Sequence, residues 1–128
     1  MTSRKSIFIV GLAEVTSFAE ERKQKYGNPD QLRTIIMGEI KKIQDAGYDI
    51  EVTLVDPDDF ADTLKEIKEK LRSRQWDGFN VGFGVRGTPE YTDVFEQVVN
   101  AAREIVPGTK MSFNSRPDNL YECVVKNF

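Results

Sequence analysis

Apolar and polar positions change rhythm repeatedly along this chain, and each change marks the passage from a strand to a helix or back. Ile7, Phe8, Ile9 and Val10 are continuously apolar and rich in β-formers, the pattern of a strand covered on both faces. A long connection follows from Gly11 to Gly27, within which Thr16 to Lys25 predicts a helical turn or two. Asn28, Pro29 and Gln31 then make a capped helix start, with proline at the first helical position. Leu32, Ile35, Ile36, Ile40 and Ile43 recur at helical spacing until Gly47 ends the helix.

Ile50, Val52 and Leu54 alternate with Glu51 and Thr53, which predicts a half-exposed strand at a sheet edge. Asp56-Pro57 opens a second helix striped by Phe60, Leu64, Ile67 and Leu71. Gly78 to Phe83 is almost wholly apolar and predicts a central strand. Thr88-Pro89 opens a third helix with Tyr91, Val94, Phe95, Val98, Ala102 and Ile105 toward the core. Lys110 to Asn114 reads as a fourth strand, and Arg116-Pro117 leads into a short helix with Leu120, Val124 and Phe128 on one side.

Strand and helix in strict alternation imply parallel pairing through right-handed crossovers. The first and third strands read as interior and the second and fourth as edges, so the order across the sheet is 2-1-3-4. The expected fold is therefore a three-layer, doubly wound α/β sheet of four parallel strands, flavodoxin-like or Rossmann-like without a fifth strand. Handedness places the first and fourth helices on one face and the second and third on the other. At 128 residues there is room for one such domain and not two.

Composition narrows the partners. A net charge of −3 and a pI of about 5.1 give no positive field to collect phosphate backbones, so nucleic acid is not expected as a partner. No stretch approaches the roughly 20 apolar residues that span a bilayer, so no membrane is expected either. The run Ile7 to Ala13 behind Arg4 and Lys5 has the look of a secretory leader, but it is short and stops at Glu14, and it fits a buried strand better. Cys123 is the lone cysteine and there is no histidine, which leaves no internal disulfide, no metal constellation and a reducing, cytoplasmic setting.

In open parallel sheets ligands bind beyond the carboxyl ends of the strands at the switch point, here between strands one and three. That rule nominates the loops Gly11 to Ser17, Asp56 to Asp58, Gly84 to Thr88 and Asn114 to Pro117. Gly82-Phe83-Gly84-Val85-Arg86-Gly87 satisfies the dinucleotide pattern G-x-G-x-x-G between a strand and a helix. However, its third glycine precedes the helix instead of lying in it, the pattern follows the third strand and not the first, and no acidic residue ends the fourth strand. No cofactor is assigned on that basis.

The glycines do permit a backbone close to a ligand, with amides free near a helix start, an arrangement that favours anions. Arg86 and Arg116 belong to the same sheet edge and can grip a carboxylate or phosphate in bidentate fashion. The candidate ligand-binding set is Gly84, Arg86, Gly87, Thr88, Asn114 and Arg116. The competing reading is that the glycines relieve packing while the arginines form surface ion pairs.

Asp56, Thr88 and Ser115 each precede a proline-marked helix start and read as caps. Asn80, polar in a buried strand, requires hydrogen bonds, and Cys123 reads as a buried thiol on the inner side of the last helix. For catalysis the chain offers Glu14 or Asp56 as acid or base with Tyr91 assisting, and Thr16 and Ser17 as a site wall. It offers no histidine and no paired serine or cysteine nucleophile. The acidic pair of a phosphoacceptor receiver, the hydroxyl-rich phosphate loop of a flavodoxin and the cysteine of a phosphocysteine carrier are all missing after strand one, where Gly11-Leu12-Ala13-Glu14-Val15 stands instead.

Trp76-Asp77-Gly78 running into Gly82-Phe83-Gly84-Val85-Arg86, then Phe95-Glu96 with Val99-Asn100, then Ser112-Phe113-Asn114, resembles a family of small bacterial and fungal proteins, over about Asp45 to Val124. The resemblance implies the same fold and the relevance of Gly84, Arg86 and Asn114, and brings no activity with it. The expected function is binding of a small anionic metabolite at the carboxyl edge. The alternatives are an enzyme acting on such a ligand or a homodimer joined along the open edge of strand two or four.

Overall fold

The structure, a computed structural model, describes residues 4–13 and 29–128. Its elements in chain order are β1 (Ser6–Leu12), α1 (Pro29–Asp45), β2 (Asp49–Val55), α2 (Phe60–Ser73), β3 (Gly78–Val81), the single-turn α3 (Phe83–Arg86), α4 (Thr92–Ile105), β4 (Lys110–Phe113) and α5 (Leu120–Asn127). The four strands form one sheet in order β2-β1-β3-β4, and every pair is parallel. In register, Ile9 of β1 stands beside Val52 on one side and Asn80 on the other.

Alternation of side chains divides the core between the two faces of this sheet. Phe8 and Val10 point into a layer closed by α2 and α4, where Ile67, Leu71, Val98, Ala101 and Ala102 are buried. Phe8 stacks on Trp76 at 5.3 Å between ring centroids and lies 5.5 Å from Phe79. Ile7 and Ile9 point the other way, onto Ile43 of α1 and Leu120 and Val124 of α5. The first and last helices thus share one face, as right-handed crossovers require.

The proline-marked starts are more elaborate than the sequence suggests. Pro57, Pro89 and Pro117 each open a three-residue 3-10 turn, and the α-helix begins only after it, at Phe60, Thr92 and Leu120. The tighter turn uses the fixed φ of proline without requiring its missing N–H. At the other end of α1, Gly47 takes φ +98°, its N–H bonds Gln44 and the N–H of Tyr48 bonds Ile43, the double bond of a Schellman stop.

Two expectations are corrected. Alternation in β2 predicted Leu54 inside and Thr53 outside, yet Thr53 and Val55 are buried and Leu54 is 54 % exposed. Helices cover both faces of the sheet, so the polar phase of β2 is not a solvated face. The third strand ends at Val81 and not at Phe83, because the chain turns into α3 immediately after Gly82. The helical turn expected within 16–25, the Asn28 cap, and Glu14, Thr16 and Ser17 lie outside the described residues.

Candidate functional site

At the carboxyl edge the strands end around a cavity of about 400 Å³. Its floor is the end of β1 and β3, with Ile9 to Leu12, Asn80, Gly82 and Phe83. One wall is the stripe Leu32, Ile36 and Ile40 of α1, with Val52 and Leu54 of β2 beside it. The opposite wall is Gly84, Gly87 to Glu90, Asn114, Pro117 and Leu120. The cavity therefore sits at the switch point between β1 and β3, on the face that carries α1 and α5.

Of the residues nominated from sequence, Gly84, Gly87, Thr88 and Asn114 meet in this wall. Asp56, Tyr91, Arg86 and Arg116 do not belong to it. Asp56 accepts the N–H of Asp58 at 3.0 Å, the capping role its position predicts. Tyr91 is 7 % exposed and faces the core. Arg116 places Nε 2.9 Å from Asp118, an exposed ion pair. Arg86 lies over the Phe83 ring and directs Nη2 to the carbonyl oxygen of Asn114 at 3.4 Å, which holds its cation next to the cavity without lining it.

The glycine turn differs from the open cradle expected. The N–H groups of Val85 and Arg86 both point to the Gly82 carbonyl at 3.2 Å and that of Gly87 to Phe83, so these amides are spent inside the helical turn. Gly87 has an ordinary right-handed φ of −93°, and a Cβ there would enter the Phe83 ring. Gly82 donates to Val10 at 2.8 Å, bringing the β3 end against β1. Gly82 and Gly87 thus serve close packing here. Thr88 sends its hydroxyl to the Gly84 carbonyl at 2.7 Å and makes no cap bond, and Ser115 accepts from the Asn119 amide instead of capping the backbone.

Beneath the cavity lies a row of buried polar groups. Ser112 Oγ donates to Asn80 Oδ1 at 2.8 Å, Asn80 Nδ2 donates to Asn114 Oδ1 at 3.1 Å, and Asn114 Nδ2 donates to the Arg116 carbonyl at 2.8 Å. The half-buried Cys123 thiol also reaches Asn80 Oδ1, at 3.5 Å. Both amide oxygens are occupied, whereas each NH2 group carries a second hydrogen beyond the one it uses here. Glu90 is the one ionisable side chain among the described wall residues, and it is exposed.

Sequence reasoning missed the apolar wall. Leu32, Ile36 and Ile40 read as core because their spacing is that of a buried stripe, but they remain only half-buried. A stripe whose upper turns extend beyond the strand ends was the available signal. Among the described residues no group of His, Cys, Asp or Glu could hold a metal ion, and no helix is long and apolar enough to cross a membrane. No protein-family model, curated protein or solved structure matches the chain, so the resemblance in the strings from Trp76 to Asn114 stands on those residues alone.

Proposed function

We propose that this domain binds a small, mainly apolar molecule ending in a carboxylate or carbonyl group, held in the carboxyl-edge cavity. The observation that carries the reading is the pairing of aliphatic walls with the Asn80–Asn114 amide row at one place. Leu32, Ile36, Ile40, Val52 and Leu54 offer apolar surface, which rewards burial of a hydrocarbon body at about 25 cal/mol per Å². The second amide hydrogen of Asn114, a residue 6 % exposed, is a donor left for an acceptor oxygen, while the fully buried Asn80 holds Asn114 in place. Arg86, tethered to the Asn114 carbonyl, supplies positive charge beside that end.

This keeps the anionic ligand expected from sequence but changes its character. A phosphate would need several cations or free amides, and the amides of Val85, Arg86 and Gly87 are already bonded while Arg116 is paired with Asp118. A single carboxylate needs less, and the rest of its binding comes from the apolar body. The exposed Glu90 is screened by solvent and opposes such a ligand only weakly.

Thermal scans with acetate, hexanoate, octanoate, 3-phenylpropionate, octanol and inorganic phosphate at matched ionic strength test the proposal. Stabilisation should grow with the hydrocarbon part and reach about 10 °C when ligand exceeds Kd about 100-fold. Octanol should stabilise less than octanoate, and phosphate no more than chloride. Ile36→Trp, which fills the apolar wall, should abolish the response. Equal shifts from phosphate and octanoate, or an undiminished response in Ile36→Trp, would remove the cavity from consideration.

A further inference from the structure

Resting on the reading of the carboxyl-edge cavity as a ligand site, we infer that Asn80 is the residue that sets its specificity, by positioning Asn114. Asn80 fixes the direction of the buried amide row. The site then selects head groups that only receive hydrogen bonds and refuses those with a hydrogen of their own to place. Carboxylates, ketones and aldehydes belong to the first class, alcohols and amines to the second.

One end of the row is backbone, and it decides the rest. The Arg116 carbonyl stands at the entry of the turn opened by Pro117, where it receives the Asn119 N–H at 3.3 Å while Asn119 Oδ1 holds the Arg116 N–H at 3.0 Å. A carbonyl only accepts, so the end of Asn114 that meets it at 2.8 Å is the amide nitrogen. Asn114 Oδ1 is thereby turned to Asn80, which must answer with its own nitrogen, at 3.1 Å. Asn80 Oδ1 then faces Ser112 and Cys123, and both give it their hydrogens, at 2.8 and 3.5 Å. Reversing either amide would bring two oxygens together. Asn80 is 0 %, Ser112 3 % and Asn114 6 % exposed, so there is little solvent to relieve such a contact.

Both amide oxygens are thus turned into the row. Asn80 Oδ1 receives a hydroxyl and a thiol, which occupies both of its lone pairs. Asn114 Oδ1 receives Asn80 and lies against the strand end, 3.9 Å from where a Cβ on Gly82 would stand. What the row has left for a ligand is the second hydrogen of Asn114. A ketone or carboxylate oxygen takes that hydrogen and has nothing further to satisfy. An alcohol takes it too, but its own hydrogen then meets no open acceptor in the row, and a buried donor without a partner is what makes a hydrogen-bonding site discriminate.

The test compares 2-octanone with 2-octanol, which are alike in size, shape and charge and differ in the hydroxyl hydrogen. Calorimetry gives dissociation constants for the native chain and for Asn80→Leu, a change of similar shape that takes the donor away from the Asn114 oxygen. Comparing the two preferences cancels the different hydration of the ligands. The native chain should prefer the ketone, and Asn80→Leu should reduce that preference about tenfold, because the freed Asn114 oxygen can receive the hydroxyl hydrogen. Equal weakening of both ligands, the result of a merely structural Asn80, overturns the inference. So does a native chain that binds octanoate yet takes ketone and alcohol alike. A native chain that binds neither octanoate nor 2-octanone overturns the reading of the cavity itself, and Asn80 loses its role with it. Should Asn80→Leu fail to fold, the nitrogen–proton correlation spectrum of the native chain decides. There 2-octanone should shift one Asn114 side-chain amide proton far more than either proton of Asn80, and equal shifts, or none at Asn114, overturn the inference.

Discussion

The two faces of one four-stranded sheet are packed in different ways. Among the described residues, twelve buried ones form one apolar cluster on the α2 and α4 face, with Phe8 stacked on Trp76 and tilted against Phe79. On the α1 and α5 face five of the described residues form the buried cluster, and the layer is interrupted by the carboxylate of Glu39, the Asn80 amide and the cavity. Both faces grow from the same strands, since Phe8 and Val10 serve one and Ile7 and Ile9 the other. The difference lies in the helices. One pair brings bulk enough to fill its layer, and the other borders the cavity at the edge where ligands of parallel sheets bind. Stability is concentrated on one side and the candidate site on the other.

The comparison breaks most directly at Phe8 and Ile9, neighbours that point to opposite faces. Phe8→Ala should destabilise by about 3 to 5 kcal/mol, since a close-packed ring cluster cannot collapse around the hole. Ile9→Ala should cost about 2 to 3 kcal/mol, because the neighbouring cavity gives its surroundings room to relax. Urea denaturation of both variants measures the pair. Equal losses would show that the two layers are equally tight.

Strand order, parallel pairing and helix placement were legible because they follow from long-range periodicity and handedness, which Ile7 to Val10 and the stripes of α2 and α4 display plainly. The switch-point rule also brought Gly84, Gly87, Thr88 and Asn114 to one wall. Side-chain commitments were not legible. Arg116 meets Asp118 two residues away and Arg86 turns to the Asn114 carbonyl, choices made by local geometry that spacing does not encode. Leu54 and Thr53 exchanged their expected burial because period-2 alternation cannot distinguish a half-solvated strand from one covered by a helix on each side. Phe95, which its stripe assigned to the core, is only half-buried and meets Phe113 edge-on at 5.9 Å.

Glu39 sharpens the comparison, since it is the polar pin of the less filled face. Its side chain is 5 % exposed, with Oε1 accepting the Tyr121 N–H at 3.1 Å and Oε2 accepting Lys42 at 2.8 Å. It therefore caps the first turn of α5 from a different helix, as acidic groups do at helix N-termini. Glu39→Ala should cost about 1 to 3 kcal/mol by leaving that N–H without its acceptor. Amide exchange should show the loss first in α5, while α2 and α4 keep their protection. Uniform loss across both faces would deny the two layers any independence.

A smaller effect is expected on the filled face. Thr53 Oγ1 is buried without a partner, and replacing the hydroxyl by a methyl group removes a desolvated polar atom at nearly constant shape. Thr53→Val should raise stability by about 1 kcal/mol, read from urea denaturation midpoints. A loss of stability would mean that Thr53 is hydrogen-bonded after all.

The smallest effect concerns pH and the exposed end of the Glu39 pin. The hydrogen bond to Glu39, reinforced by its charge, raises the pKa of Lys42 above the ordinary 10.5. A group that holds its proton more tightly when folded adds stability below its unfolded pKa, and that stability is lost as pH climbs through the folded value. The contribution is therefore complete at neutral pH and disappears only in the alkaline range above about 10.5. Lys42 is largely solvent-exposed, so the contribution is modest and screened by salt. Lys42→Met should slightly lower stability at pH 7 and flatten the alkaline decline. Denaturation midpoints for both proteins across the alkaline range provide the measurement, and parallel curves would show that Lys42 does not draw on Glu39 in solution.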